Sequence, residues 1–271
     1  MYCGSIDFRT AGGTTLLVDA RELNDSVEAF EDHGYVVLPE LLTREEADAL
    51  WQAFDEFPRA YIDGSERNFN TERVLCQNWG FVEAMTKPHL IDALRRCVGE
   101  DIQILSYDGP ETPPHKGPER AWHIEVHGGF TSDTCVSANV GIYFQDITEE
   151  TGPLYVIPGS HKWRREPTRE EREQPQPGEV AIVMPAGTGI IIHGQLWHSG
   201  GRNNSDRTRR AVFGYFGHYW MKRMDDFYKT PLPERILQSE DRLIRQLFGL
   251  ELAFAPSFFG SGYGPEGTHS H

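Results

Sequence analysis

Apolar and polar residues follow two different periods along this chain, which divide it into a helical beginning and a β-rich middle. Helical spacing over residues 24–33 and 43–54 predicts two short helices, the second opened by a Thr-x-x-Glu capping box at Thr43. A third helix is expected over residues 88–98, because Gly99 follows it. We expect these helices to pack on the outside of a sheet.

Short strands separated by glycine and proline turns dominate residues 101–220. The clearest one covers residues 134–144, where apolar side chains occupy one face and Asn139 and Tyr143 lie on the other, so that the second face can line a pocket. Further strands are expected over residues 35–38, 101–107, 180–184, 189–193 and 209–220. The pattern predicts a mainly β protein with flanking helices, arranged as a sandwich or a barrel.

Four other segments depart from this pattern. Residues 55–80 mix polar and aromatic residues without a period and are predicted to form an irregular loop. Residues 164–177 are charged and rich in proline, which favours a solvated excursion or a lid. Residues 231–250 look helical. Residues 260–271 are expected to form a frayed tail, and residues 1–259 a single domain, because no repeat or linker divides them.

Charge and composition exclude several classes of protein. The 271 residues include 26 Lys and Arg against 41 Asp and Glu, a formal net charge of −15. Binders of nucleic acid or of anionic membranes need a basic surface, so neither partner is expected. No apolar run approaches the roughly 18 residues of a membrane-spanning helix. The first residues lack a secretory pattern and the four scattered cysteines have no CxxC spacing, so we expect a cytoplasmic protein with reduced thiols.

Two histidine segments are the candidate site. His123 and Glu125 are two residues apart on a predicted strand and would share one face with His127. His198 lies in a distant segment, after the strand that ends at His193. Two histidines and one carboxylate form the ligand set of non-heme iron oxygenases, which leaves positions open for O2 and a chelating cosubstrate.

A group of basic residues follows the second histidine segment. Arg207 and Arg209 share a face of the last predicted strand, and Arg210 should point away from that face. A guanidinium beside such an iron would bind the distal carboxylate of 2-oxoglutarate through two parallel hydrogen bonds.

Three ordered motifs resemble the phytanoyl-CoA dioxygenase family of Fe(II)/2-oxoglutarate oxygenases. Residues 150–163 (ETGPLYVIPGSHKW) and 198–211 (HSGGRNNSDRTRRA) are similar to two segments of that family, and residues 30–47 to its N-terminal helix, strand and helix. Together they cover most of residues 25–220 in the family's order. The resemblance implies a double-stranded β-helix, the jelly-roll or cupin-like barrel, with N-terminal helices against one sheet.

The resemblance also implies roles for individual residues. His123, Glu125 and His198 would be the catalytic iron ligands, and Arg209 would bind the cosubstrate carboxylate, with Arg207 as the alternative. The family's usual carboxylate is Asp, so Glu125 is a departure. Related halogenases carry a small residue at this position, and the retained carboxylate therefore favours oxygenation or oxidative cyclisation over halogenation.

A few further residues have two interpretations. Asn139 is a second candidate for binding the cosubstrate, or it makes an ordinary cross-strand hydrogen bond. His127 is the alternative to Glu125 as a ligand, and His193 is the alternative to His198. His161, within the Pro-Gly-Ser-His segment, is predicted to be a turn or packing histidine.

The predicted function is a non-heme Fe(II)/2-oxoglutarate-dependent dioxygenase that uses O2 to oxidise a C–H bond of a small molecule by hydroxylation or oxidative cyclisation. The acidic charge disfavours a CoA ester. The polar and aromatic residues 55–80 suit a glycosylated natural product, such as an intermediate of the orthosomycin oligosaccharide antibiotics. The alternatives are a zinc hydrolase with the same three ligands and a non-catalytic barrel that binds a small ligand. A hydrolase has no need for an arginine that binds a cosubstrate.

Overall fold

The computed structural model of the chain describes residues 16–19, 28–56, 69–71, 76–126, 129–224 and 232–251. The helices of this part are α1 (Glu28–His33), α2 (Arg44–Ala53), α3 (Trp79–Met85), α4 (Pro88–Cys97), α5 (Glu234–Leu237) and α6 (Arg242–Leu247). Its strands are β1 (Leu16–Asp19), β2 (Tyr35–Leu38), β3 (Phe69–Thr71), β4 (Ile102–Thr112), β5 (Ser137–Tyr143), β6 (Leu154–Val156), β7 (Val180–Val183), β8 (Gly189–His193), β9 (His198–Gly200) and β10 (Arg209–His218).

The strands form two sheets. A four-stranded sheet has the order β1-β7-β6-β9, and a six-stranded sheet has the order β2-β8-β5-β10-β4-β3. The pairing is antiparallel throughout the described strands except between β1 and β7. Strands far apart in sequence lie side by side, as in a double-sheet jelly roll. The predicted mainly β fold is confirmed.

The N-terminal helices pack on the outer face of the six-stranded sheet, as expected. The capping box is present: the Thr43 hydroxyl accepts from the Glu46 N–H at 3.2 Å, and the Glu46 carboxylate accepts from the Thr43 N–H at 2.9 Å. Buried side chains of the helices and of the sheet share one core, which includes Leu50, Phe54, Phe81, Leu90, Val140 and Phe216.

Strand β5 confirms the predicted alternation. Ala138, Val140 and Ile142 belong to the core beneath the helices, whereas Asn139 and Tyr143 line a cavity on the opposite face. A second apolar cluster, with Val37, Val156, Ile182 and Ile190 among its members, fills the space between the two sheets. The six-stranded sheet therefore has an apolar outer face, and its inner face is apolar at the second cluster and polar at the cavity.

Several predicted elements were wrong in extent. The loop predicted over residues 55–80 already contains the start of α3, whose first turn is capped by the Asn78 side chain. The helix predicted over residues 231–250 is two short helices, because Asp241 accepts from the Leu243 N–H at 2.8 Å and starts a new helix. Strand β4 extends to Thr112, and the predicted tail lies outside the described residues.

The segment that contains His123 and Glu125 was also predicted wrongly. It is not a regular strand: His123 forms one isolated bridge with His198 instead. Within the described residues, none of the helices has the length and apolar composition needed to cross a membrane.

Candidate metal centre and cosubstrate pocket

The three side chains that the sequence selects as iron ligands come together. His198 begins β9, and its backbone exchanges two hydrogen bonds of 3.1 Å with His123, so the two rings lie 4.2 Å apart between centroids. The Glu125 N–H donates to the Gly194 carbonyl at 2.9 Å, which fixes the third residue beside them. One ligand atom from each side chain lies within 4.8 Å of the other two.

Both imidazoles present the same nitrogen to the carboxylate. Nδ1 of His123 lies 2.8 Å from the Ala121 carbonyl, and Nδ1 of His198 lies 2.9 Å from the Leu196 carbonyl. A carbonyl oxygen only accepts, so each Nδ1 carries the hydrogen and each Nε2 keeps a lone pair. Nε2 of His198 is 3.2 Å, and Nε2 of His123 3.9 Å, from Oε1 of Glu125. This donor set, oriented by backbone carbonyls, fits a divalent iron.

Glu125 is held in its ionised form. Burial raises its pKa, but the neighbouring His198 and His123 and the amide of Asn139 outweigh burial and lower the pKa to about 2. Nδ2 of Asn139 donates to Oε1 of Glu125 at 2.5 Å. The other amide atom of Asn139, Oδ1, is buried and accepts no hydrogen bond within the described part of the chain. Contact of Asn139 with a cosubstrate stays a prediction.

The three side chains open into a cavity of about 700 Å³ between the two sheets. This volume is typical of a small-molecule site. The six-stranded sheet contributes Ser106, Tyr143, Arg209 and Tyr215 to its wall, and the other sheet contributes Leu154 and His198. The cavity is therefore large enough for a cosubstrate and part of a substrate beside the ligand set.

Arg209 lies in this cavity with neutral acceptors around it. Its Nη1 donates to the carbonyls of Thr151, Gly152 and Gly201 at 3.1, 2.7 and 2.9 Å, and its Nη2 donates to the Thr112 hydroxyl at 3.2 Å. Among the described residues, Arg209 forms an ion pair with no carboxylate. Burial lowers its pKa. Arg209 is half-buried, and withdrawing a cation from water without a counter-charge is costly, so the site favours an anion.

Of the two neighbouring arginines, Arg210 follows the predicted alternation, whereas Arg207 precedes β10 and, contrary to the prediction, does not share the face of Arg209. Arg207 is exposed at the surface, outside the residues that line the cavity. Arg210 points to the opposite face of the sheet, where it pairs with Glu111 at 2.6 Å and with Asp55 at 2.5 Å and lies over the Trp51 ring. Only Arg209 of the three therefore faces the candidate ligands.

The alternative ligands are not brought to this centre. His193 lies in a separate buried cluster with His161, at 4.8 Å between ring centroids, and its Nδ1 accepts from the Gln195 N–H at 3.0 Å. His161 is a buried packing histidine, as predicted. His127 lies outside the described residues.

Two features of the site were missed by the sequence reasoning. The first is the turn at Thr151 and Gly152, whose carbonyls hold Arg209, although it lies in the ETGP motif at residues 150–153. The second is Tyr215, which lines the cavity and shares a hydrogen bond of 2.8 Å with the Ser137 hydroxyl. Burial, together with nearby Glu125, raises the pKa of Tyr215 to about 12, so its hydroxyl stays protonated.

This chain is similar to a protein family model and to several curated proteins. A family model described as phytanoyl-CoA dioxygenase (PhyH) matches residues 30–211. The chain is 24% identical over 168 residues to an uncharacterised protein of Mycobacterium tuberculosis, covering 60% of each chain. It is 24% identical over 235 residues to L-proline trans-4-hydroxylase of Streptomyces griseoviridis, covering 70% of this chain and 84% of that enzyme. The chain thus spans only 60% of the length of its mycobacterial relatives.

Two solved structures show the same fold. One is HygX from Streptomyces hygroscopicus with nickel, 2-oxoglutarate and hygromycin B bound, with a TM-score of 0.62 and 14% identity over 75% of this chain and 90% of that one. The other is SnoK, a non-heme α-ketoglutarate-dependent carbocyclase from nogalamycin biosynthesis, with a TM-score of 0.57 and 20% identity over 77% and 88%.

The fold is a jelly roll, and its cavity contains a His–carboxylate–His set that fits a non-heme iron site. The chain belongs to the phytanoyl-CoA dioxygenase family, whose model covers all three of its motifs in full. No match supports a zinc hydrolase.

Proposed function

We propose that the protein is an Fe(II)/2-oxoglutarate-dependent dioxygenase that oxidises a C–H bond of a small molecule, with residues 1–259 as one catalytic domain. One observation carries the proposal: half-buried Arg209, surrounded by neutral acceptors, shares a single cavity with His123, Glu125 and His198. A metal-ligand set alone would serve a hydrolase as well. A cation placed in the same cavity suits a cosubstrate with two carboxylates.

Each residue has a role in this proposal. The Nε2 atoms of His123 and His198 and the carboxylate of Glu125 would hold iron, which supplies the activation of O2 and the oxidation of the substrate. Arg209 would bind the distal carboxylate of 2-oxoglutarate. Burial raises the pKa of Tyr143 to about 12, so its hydroxyl keeps a proton beside Arg209 that it can donate to the same carboxylate. The cavity walls would exclude water from the reacting atoms.

The substrate we propose is a natural product, and the reaction a hydroxylation or an oxidative cyclisation. Support comes from the matches: HygX is described with hygromycin B bound, and SnoK as a carbocyclase of nogalamycin biosynthesis. An oligosaccharide-antibiotic intermediate fits the same range of compounds. We propose a cytoplasmic location, which agrees with the free thiols of Cys76, Cys97 and Cys135.

The test is anaerobic titration of the Fe(II)-loaded protein with 2-oxoglutarate, followed through the visible metal-to-ligand charge-transfer band. Arg209→Gln should weaken 2-oxoglutarate binding by about 10- to 100-fold, because it removes a charge-assisted contact. Arg207→Gln is the matched control, since Arg207 is exposed and outside the cavity. We expect it to bind 2-oxoglutarate as the wild type does.

The outcomes are distinct. A band in the wild type that weakens in Arg209→Gln, with unchanged Fe(II) affinity, supports the proposal. Metal binding by the wild type without a charge-transfer band would overturn the assignment of 2-oxoglutarate as cosubstrate. A band of equal strength in Arg209→Gln and wild type would keep the class of enzyme and refute the role of Arg209.

A further inference from the structure

Each candidate histidine ligand follows a tryptophan, and the two tripeptides have the same arrangement. In Ala121-Trp122-His123 and in Leu196-Trp197-His198, the carbonyl of the first residue lies at hydrogen-bond distance from Nδ1 of the histidine. The central tryptophan is almost completely buried in both, with exposures of 1% and 0%. The ring orientation of each candidate ligand thus depends on the backbone on both sides of a buried indole.

Both indoles are anchored to one segment. The indole N–H of Trp122 donates to the Gln174 carbonyl at 2.9 Å, and the Trp122 backbone N–H donates to the Arg172 carbonyl at 2.9 Å. The indole N–H of Trp197 donates to the Arg165 carbonyl at 2.9 Å, and the Arg165 guanidinium lies 4.6 Å over the Trp197 ring. All three acceptors belong to residues 164–177, the charged segment for which the sequence favours an excursion or a lid.

Hydrogen bonds link residues within the 164–177 segment and join its C-terminal end to the residues that follow it. Arg165 and Glu171 form two hydrogen bonds of 2.7 Å each. Beyond the segment, buried Glu179 accepts from the Gln176 N–H at 2.9 Å and pairs with buried Arg120, two residues before Trp122. The bonds thus run from one histidine tripeptide through the segment to the other.

None of residues 164–177 is among those that line the cavity. The segment therefore contributes nothing to the cavity wall, and its described contacts give no support to a lid role. Its contacts are with the residues that carry the ligands.

We propose that residues 164–177 are a positioning element of the metal centre, with Trp122 and Trp197 as the positioning residues through which the segment fixes His123 and His198. This inference rests on the proposed iron site. It predicts that loss of either indole hydrogen bond weakens metal binding, although neither tryptophan touches the metal.

The experiment measures binding of Co²⁺ to the apoprotein, which reports on the ligand geometry through its visible d–d spectrum, together with the apoprotein's resistance to urea. Trp122→Phe and Trp197→Phe remove the N–H and keep an aromatic ring. Each should lower Co²⁺ affinity by about tenfold, the usual cost of losing support for a histidine ligand, and should change the d–d spectrum. Trp220→Phe is the control, because Trp220 is exposed and lies outside the cavity wall.

A purely structural role would give a different result. Trp→Phe variants that lose resistance to urea but keep wild-type Co²⁺ affinity and spectrum would overturn the proposal. If a Phe variant does not fold, benzothienylalanine at the same position replaces only the N–H by sulfur, and Glu171→Gln loosens the segment from a partly exposed position. The benzothienylalanine variant and Glu171→Gln should each weaken Co²⁺ binding. Unchanged Co²⁺ binding in the two variants would again overturn the proposal. Failure of the wild type to bind Co²⁺ would instead refute the proposed iron site.

Discussion

Glu125 is one methylene longer than the aspartate usual in the family, and its surroundings match that length. Its Oε1 lies 3.2 Å from Nε2 of His198 and receives the Asn139 amide at 2.5 Å. An aspartate whose carboxylate stays beside His198 would reach less far and lose the hydrogen bond from the Asn139 amide. We therefore predict that Glu125→Asp lowers Fe(II) affinity by about tenfold, measured by anaerobic competition with a chelator.

The reason for that loss can be tested with Asn139. Asn139→Ala should lower Fe(II) affinity as well, and the double variant Glu125→Asp/Asn139→Ala should be little worse than either single variant, because both remove the same contact. Additive losses would show that Asn139 does not hold the carboxylate. Fe(II) binding by Glu125→Asp equal to that of the wild type would contradict the length argument itself.

Residue identities predicted more of this site than backbone patterns did. The resemblance to the family assigned roles to His123, Glu125, His198 and Arg209, and the structure places all four around one cavity. The anchoring of Trp122 and Trp197 was not predictable, since it depends on carbonyls more than 30 residues away in sequence. Contacts of this kind leave no local pattern.

At the scale of elements, regular patterns in the sequence predicted the helices and strands that bury one face. The capping box predicted the start of α2, and alternation predicted the two faces of β5. The three-residue strands β6 and β9 escaped prediction because they are too short to show a period, and their pairing partners are distant in sequence. Those short strands nevertheless carry His198 and the turn that holds Arg209.

The turn before β6 leads to a prediction about Gly152. This glycine has φ +91°, and a Cβ there would collide with Nη1 of Arg209 and with the carbonyls of Arg202 and Gly201. Gly152→Ala should therefore displace the guanidinium and weaken 2-oxoglutarate binding by about tenfold, while Fe(II) affinity is kept. The charge-transfer titration measures the first quantity and a metal titration the second.

Gly178 provides a matched control for backbone strain. It has φ +79°, and a Cβ there would meet nothing within 4 Å. Gly178→Ala should lower stability as Gly152→Ala does, through strain in the left-handed region, but leave 2-oxoglutarate binding unchanged. Equal 2-oxoglutarate affinities in the two alanine variants would show that the position of Arg209 does not depend on this turn.

At the scale of the whole molecule, the residues of the candidate site lie on the inner faces of the two sheets. The buried cluster of His161 and His193 affects the stability of the whole fold instead. Both rings are buried, with exposures of 8% and 6%, and burial lowers both pKa values, that of His193 to about 3. Unfolding returns His193 to its ordinary pKa of 6.5, so below pH 6.5 the unfolded chain binds a proton that the folded protein does not. Acid therefore favours unfolding.

The size of this effect follows from the two pKa values. Between pH 7.5 and pH 5, the folded protein should lose about 2 kcal/mol of unfolding free energy through His193. In urea titrations at the two pH values, the unfolding free energy of His193→Gln should fall by correspondingly less than that of the wild type. Phe30→Leu removes bulk beside the same ring, at 5.7 Å, without removing a titrating group, so it should lower stability equally at both pH values. A pH dependence in His193→Gln as steep as in wild type would place the acid sensitivity elsewhere in the molecule.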